Sequence, residues 1–281
     1  MFKILKRQML TPNICKMVVS APRIAKSALP GQFLIVLANE EGERIPLTIS
    51  DYDREEGTVT IVTQLIGASS AAIIAKEEGE FFRDVVGPLG NPSAFVKMDE
   101  EALKGQRYIF IAGGLGTAPV YPQAKWLHDR GIAVDVIIGA RTKGLLIYTE
   151  ELGSACDNLY LCTDDGSVGF HGVGTACLED LVNNQGKEYT QAVAIGPMIM
   201  MKFATLTCKK LNIPIDVSLN MLMVDGTGMC GACRVTVAGK TRFACVDGPE
   251  FNGYDVDFDE AMRRLGQYKA EEAEEKAKYV K

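Results

Sequence analysis

RYIFIAGGLGTAPVYPQAKWLHDRG, residues 107–131, decides how this chain folds. Its opening RYIFIAGG is a nearly unbroken apolar run, the pattern of a strand covered on both faces. The run dissolves into glycines, and PVYPQAKWLHDRG follows with a helical pattern. Pro122 is expected in the first turn of that helix, where a missing N–H is harmless. A buried strand, a glycine-rich end and a helix make one unit of a parallel, doubly wound sheet.

The same alternation continues downstream. AVDVIIGA and NLYLCTDDG read as strands, TACLEDLVNN as a helix, QAVAIGP as a strand, MIMMKFATLTCKKL as a helix and PIDVSLN as a fifth strand. Strands alternating with helices imply parallel pairing. Successive strand ends finish in glycine or small polar residues: IAGGLGTAP (111–119), GART (139–142), TDDGSVGFHGVGT (163–175) and IGPMIMMK (195–202). One such end says little. Four together describe a crevice at the carboxyl edge of the sheet, where ligands of this architecture bind. The first is not G-x-G-x-x-G, so the usual dinucleotide fingerprint does not apply.

Upstream the rhythm is that of short strands. ICKMVVS, GQFLIVLA, RIPLTIS and GTVTIVTQ are separated by turn signals such as Pro30-Gly31, Glu41-Gly42 and Glu56-Gly57. That spacing implies a small antiparallel barrel, interrupted by one helix candidate over residues 69–78. In RIPLTIS (44–50), an arginine, a proline and a threonine offer a guanidinium for phosphate and polar groups for a flavin ring. An ordinary edge strand with a proline would look the same. GASS (67–70) would expose helix N–H groups to a phosphate, or would simply be an N-cap by Ser69 or Ser70. GPLG (87–90) reads as a tight turn closing the barrel.

Beyond the sheet lies DGTGMCGACRVTVAGKTRFAC, residues 225–245. It places Asp225, Cys230, Cys233 and Cys245 in the pattern D-x4-C-x2-C-x11-C. Plant-type [2Fe–2S] sites open C-x4-C-x2-C and close with a distant cysteine. Here a carboxylate takes the first position. Zinc also accepts C-x2-C with an aspartate. Gly226, Gly228 and Gly231 favour the cluster, because a small loop can turn several backbone N–H groups onto sulfur.

Composition sets the outer limits. At 281 residues, 47% hydrophobic and 23% charged, the chain suits two domains and an appendage. The expected bounds are an antiparallel barrel over 1–98, a parallel-sheet α/β domain over 99–219, and the cysteine-loop lobe with a helical tail over 220–281. In the tail, DEAMRRL reads as an amphipathic helix and EEAEEKAK as a solvated charge run. No apolar run reaches the ~20 residues of a membrane span, and MFKILKRQML is too short and basic for a secretory signal. Cys15, Cys156, Cys162, Cys177 and Cys208 show no disulfide spacing, which implies a reducing cytoplasm. A net charge of −6 argues against nucleic acid as a partner. The two histidines, His128 and His171, leave a histidine-based hydrolase or zinc enzyme little support. Met198, Met200, Met201 and Trp126 read as core, and Met221 and Met223 as packing or as a shield over the cluster.

The order RIPLT, GASS, GPLG, IAGGLGTAP, GART, IGPM and a C-terminal cysteine loop resembles the ferredoxin–NADP reductase superfamily over essentially the whole chain. Within it, the chain is similar to dihydroorotate dehydrogenase B electron-transfer subunits. The aspartate looks closer still to the small subunits of NADH-dependent reduced ferredoxin:NADP oxidoreductases, also described as sulfide dehydrogenases. The resemblance implies FAD on the barrel, NAD(H) or NADP(H) on the second domain, and a [2Fe–2S] cluster beside the flavin. Carried over residue by residue, Arg44, Pro46, Leu47 and Thr48 face the flavin, and Gly67, Ala68, Ser69 and Ser70 its pyrophosphate. Gly113, Gly114, Gly116, Thr117, Arg141 and Gly196 face the nicotinamide nucleotide. The implied partner is a larger flavin or iron–sulfur subunit, with ferredoxin reached through the complex, which would split electrons between two branches. Two rivals stand beside this: a pyrimidine-synthesis electron-transfer subunit, and a redox-sensing module that binds flavin without turnover.

Overall fold

The computed structural model describes residues 2–268, 270, 271 and 274. Seven strands form the first sheet: β1 (Phe2–Thr11), β2 (Ile14–Ser20), β3 (Phe33–Leu37), β4 (Arg44–Asp53), β5 (Thr58–Gln64), β6 (Phe81–Phe82) and β7 (Asp84–Leu89). They pair antiparallel in the order β6-β1-β2-β5-β4-β3-β7. The edge strands β6 and β7 are joined through Arg83 alone, so the sheet curls into a nearly closed barrel. Its interior is filled by Ile4, Met17, Leu34, Leu47, Ile49, Ile61 and Phe82. Helix α1 (Pro22–Ser27) adds Ile24 and Ala25 to that core. Helix α2 (Ala68–Ile74) follows β5 and is shorter than the 69–78 expected.

One strand is divided between two neighbours. Arg44 to Thr48 of β4 pair with β3, whereas Ile49 to Asp53 pair with β5. The second half of β5 pairs only with β2. The two strands therefore diverge, and the edge of β4 from Arg44 to Thr48 is left without a ladder partner on that side. Pro46 tolerates this place because it has no N–H to lose.

The second sheet contains β8 (Arg107–Gly113), β9 (Ala133–Ala140), β10 (Asn158–Thr163), β11 (Phe170–His171), β12 (Gln191–Ile195) and β13 (Ile215–Ser218). A hairpin of β14 (Arg234–Val237) and β15 (Lys240–Phe243) follows, and β16 (Glu250–Asn252) returns to pair antiparallel with β13. The order is β11-β10-β9-β8-β12-β13-β16, parallel except for β16. The remaining helices are α3 (Glu100–Leu103), α4 (Thr117–His128), α5 (Thr149–Gly153), α6 (Gly174–Asn183), α7 (Met198–Leu211) and α8 (Phe258–Leu265). The strand order reverses between β8 and β12, which makes that gap the topological switch point. Among the described residues, no helix is long and apolar enough to cross a membrane.

Three local expectations are corrected. GPLG is not a turn but part of β7, which runs past Gly87 and stops before Gly90 at φ +75°. A Cβ at Gly87 would lie 2.9 Å from that of Leu34, so the glycine serves strand packing. Pro122 lies in the second turn of α4, because the helix starts directly from the glycine turn and places Pro119 in its first turn. Trp126 is half-buried rather than core, its ring tilted against Phe95 with centroids 5.3 Å apart and the Arg130 guanidinium 3.7 Å above it. Helix α8 confirms the amphipathic reading of DEAMRRL. EEAEEKAK (271–278) lies outside the described residues except for 271 and 274.

Candidate cofactor site

The divergence of β4 and β5 opens a cleft on the barrel. Pleating puts Arg44, Pro46 and Thr48 on one face of β4, and Leu47 on the other. Leu47 is buried in the barrel core, so only its backbone is available to a ligand. The start of α2 stands beside this edge, since the Ser69 hydroxyl donates to the Glu43 carboxylate. RIPLT and GASS are thereby brought together. Ser70 is committed elsewhere: its hydroxyl accepts from the N–H groups of Ile66 (2.8 Å) and Gly67 (2.9 Å). It shapes the loop rather than facing outward. A side chain at Gly67 would meet nothing within 4 Å.

At the switch point the glycines divide into two kinds. A Cβ on Gly116 would collide with the Ile195 carbonyl and lie 2.8 Å from the Gly196 Cα. Gly113 and Gly196 are similarly closed in by Met200. These three permit the ends of β8 and β12 to approach. Gly114 differs: at φ +54° it has nothing within 4 Å of a would-be Cβ and borders open space. Thr117 is fully buried with no partner for its hydroxyl, so it faces the interior and not the crevice. Arg141 is exposed just past β9, where the Asp165 N–H donates to its carbonyl at 3.2 Å. The Ser167 hydroxyl and N–H hold the Asp165 carboxyl below the usual carboxylate range. His171 ends the short strand β11 that follows and is exposed.

The cysteine loop packs on the outside of the barrel. A Cβ at Gly226 would lie 3.1 Å from Leu89 and 3.2 Å from Ile35. Ile35 is the ladder partner of Pro46. The loop therefore abuts β3, which pairs with β4 on the side opposite its open edge. Cys233 and Cys245 are buried with their sulfurs 3.2 Å apart, and burial, together with the neighbouring Cys233 sulfur, raises the Cys245 thiol above the usual thiol range. Asp225 accepts from the N–H groups of Thr227 (2.8 Å) and Cys230 (3.0 Å), which hold its carboxyl below the usual range. Cys230 is exposed. The four side chains thus form two pairs; among the described residues, no three His, Cys, Asp or Glu converge on one point. The donor set still suits iron and sulfide. One N–H group already reaches sulfur, from Cys245 to Cys233 at 3.4 Å. Met221 and Met223 are buried in the adjoining core, whereas Met229 is 88% exposed beside Cys230.

The sequence did not reveal Glu250, because no periodic or spacing pattern marks it. Its Oε1 accepts from the Ser93 hydroxyl of the barrel side (3.0 Å) and from Gln123 of α4 (2.8 Å). Burial, helped by Asp216, raises its carboxyl from 4.5 to about 7. Between those values the folded chain binds the extra proton, so stability falls as pH rises through the window. Glu250→Gln should therefore raise the melting temperature near pH 8, by up to roughly 3 kcal/mol of stability. It should change little near pH 4.5. An equal effect at both pH values would remove the assigned ionisation. Two cross-links tie the same seam nearby, Lys16 to Glu151 (2.9 Å) and Lys125 to Asp51 (3.3 Å).

A flavin-type barrel, a nucleotide-type sheet and a cysteine loop docked between them define an electron-transfer subunit of the oxidoreductase class. Residues 220–257 match the iron–sulfur cluster binding domain of dihydroorotate dehydrogenase B. A homologue of the dihydroorotate dehydrogenase B (NAD(+)) electron transfer subunit from Thermotoga maritima is 44% identical, covering 96% of this chain and 92% of that one. An uncharacterized protein in the adh 3' region of Clostridium beijerinckii is 60% identical, covering 97% and 92%. A chain from the NADH-dependent reduced ferredoxin-NADP oxidoreductase structure, described for flavin-based electron bifurcation, superposes with a TM-score of 0.91 at 40% identity, covering 100% and 98%. The chain belongs to the family of dihydroorotate dehydrogenase B electron-transfer subunits and their homologues.

Proposed function

We propose that this chain carries electrons between a nicotinamide nucleotide, FAD and a [2Fe–2S] cluster as the smaller subunit of a cytoplasmic ferredoxin:NAD(P) oxidoreductase. When bound, FAD converts a hydride pair into single electrons and the cluster relays them one at a time. The observation that carries the reading is the Gly226 contact with Ile35, the ladder partner of Pro46. It sets the cysteine loop against β3, one strand away from the open β4 edge. Arg44, Pro46, Thr48 and the Leu47 backbone would hold the flavin there, with Gly67, Ala68 and Ser69 near its phosphates. Gly114 and Arg141 would face the nucleotide across the switch point. Asp225, Cys230, Cys233 and Cys245 would hold the cluster. The corresponding units are 1–98, 99–219 and 220–281. A larger flavin or iron–sulfur subunit would pass electrons onward to ferredoxin.

Anaerobic purification tests this directly. FAD with equal amounts of iron and acid-labile sulfide, bleached rapidly by NADH or NADPH, is the expected result. FMN, zinc or absence of bleaching would refute it, the last favouring a redox-sensing module. Arg44→Ala should lose FAD on dialysis while keeping its fold, since arginine grips phosphate bidentately. Full flavin retention would sink that role.

Asp225→Cys supplies an all-thiolate ligand set. Thiolate donates more electron density to ferric iron than a carboxylate of equal charge does. The variant should therefore assemble a cluster with a lower reduction potential; non-cysteine ligands raise it in Rieske centres. A redox titration followed by electron paramagnetic resonance decides. An unchanged spectrum would mean that Asp225 serves only as the loop cap its two N–H bonds make it.

A further inference from the structure

The matched iron–sulfur domain ends at residue 257, one residue before α8 begins. Helix α8 is nevertheless bound into the cysteine lobe. Phe258 and Ala261 are buried in the core that contains Cys233 and Cys245, with Met262 and Leu265 packed against it. Asp257 caps the helix through the Glu260 N–H at 2.9 Å, and Glu260 accepts from Thr236 of β14 at 3.2 Å. On its far side, Asp259 pairs with Lys202 of α7 at 2.6 Å. This framework delivers Arg264 to the loop: its Nη2 donates to the Ala232 carbonyl at 3.1 Å. Arg234 donates from Nη1 to the preceding carbonyl, Gly231, at 3.3 Å. Two guanidinium groups thus grip consecutive peptides between Cys230 and Cys233.

A trans peptide points its C=O and the following N–H in opposite directions. Gripping the Gly231 and Ala232 carbonyls therefore turns the N–H groups of Ala232 and Cys233 to the other side of the loop. Among the described residues, neither N–H has a hydrogen-bond acceptor. Gly231, at φ +68°, supplies the backbone turn this requires. The Arg264 Nε is buried without a partner, so its charge is not spent on a carboxylate. Donor bonds to sulfur and nearby positive charge both favour the reduced cluster.

We infer that Arg264, assisted by Arg234, is a positioning residue that raises the cluster's reduction potential by aiming the Ala232 and Cys233 N–H groups at it. The inference rests on the proposed cluster ligation. Arg264→Gln, in the full chain purified anaerobically, should keep its iron and sulfide. Its reduced-to-oxidised ratio at fixed potential should fall at least threefold, about 28 mV at 59 mV per tenfold for one electron. Arg264→Lys, which keeps charge but not the fork, should fall between the two. An unmoved midpoint in Arg264→Gln overturns the inference. A lysine variant equal to wild type overturns the N–H aiming. If Arg264→Gln assembles no cluster, the wild type decides: pulsed paramagnetic resonance of the reduced cluster should show an exchangeable proton coupled through isotope-labelled alanine nitrogen. Its absence overturns the inference while the proposed ligation stands. A wild type without iron sinks both.

Discussion

Cys245→Ala should leave the purified chain with less than roughly a tenth of its iron and sulfide, because a [2Fe–2S] centre needs all its protein ligands. Cys245 is 2% exposed and its sulfur lies 3.2 Å from that of Cys233. No other thiol is near enough to replace it: the remaining buried cysteines sit in the barrel and around the parallel sheet. Cys208→Ala is the control. That thiol is also fully buried, on α7, and its loss should cost about 1 kcal/mol through packing while sparing the cluster. Flavin content should survive in both variants, since the open β4 edge contains no cysteine. Iron and sulfide analysis beside the visible flavin spectrum separates the outcomes. Full iron in Cys245→Ala would overturn the ligand assignment.

Gly116→Ala should strongly destabilise the nucleotide half. Its Cβ would press on the Ile195 carbonyl and the Gly196 Cα, and backbone atoms cannot rotate out of the way as a side chain can. The ends of β8 and β12 would have to separate. Overpacking of that kind costs roughly 3 kcal/mol, on the order of 10 °C in melting temperature. Gly114→Ala, two residues earlier, has no clash to relieve and bears only the left-handed strain of φ +54°, about 1 kcal/mol. Thermal unfolding should rank the two clearly. Titration with NADH should show weakened binding in both, through a displaced strand end in one and a methyl in open space in the other. Equal melting temperatures would mean that the switch point is looser than its contacts indicate.

The parallel sheet was legible because its central strands β8, β9 and β12 are buried apolar runs; MIMMKFATLTCKKL coincides with α7 residue for residue. Strand β1 was not. Only Ile4 and Thr11 along it are buried, and Lys3, Lys6 and Arg7 erase the alternation that would mark it. GPLG misled because glycine and proline signal turns locally, whereas here close packing against Leu34 requires the glycine inside a strand. In the site, residue types were readable but directions were not. Nothing in RIPLT says that Leu47 points into the barrel, nor in GGLGT that Thr117 is buried. Glu250 and Arg264 act across contacts far apart in sequence, with partners at Ser93, Gln123 and Ala232. No local pattern encodes such meetings.

The division of β4 between β3 and β5 gives the barrel a row of backbone groups that no side chain has to provide. A recognition surface made this way is inherited with the topology. Residues along it can drift so long as the two strands still part company, because the peptide groups survive substitution. Distant relatives of this site are therefore better sought by where a ladder breaks than by which letters sit on the strand.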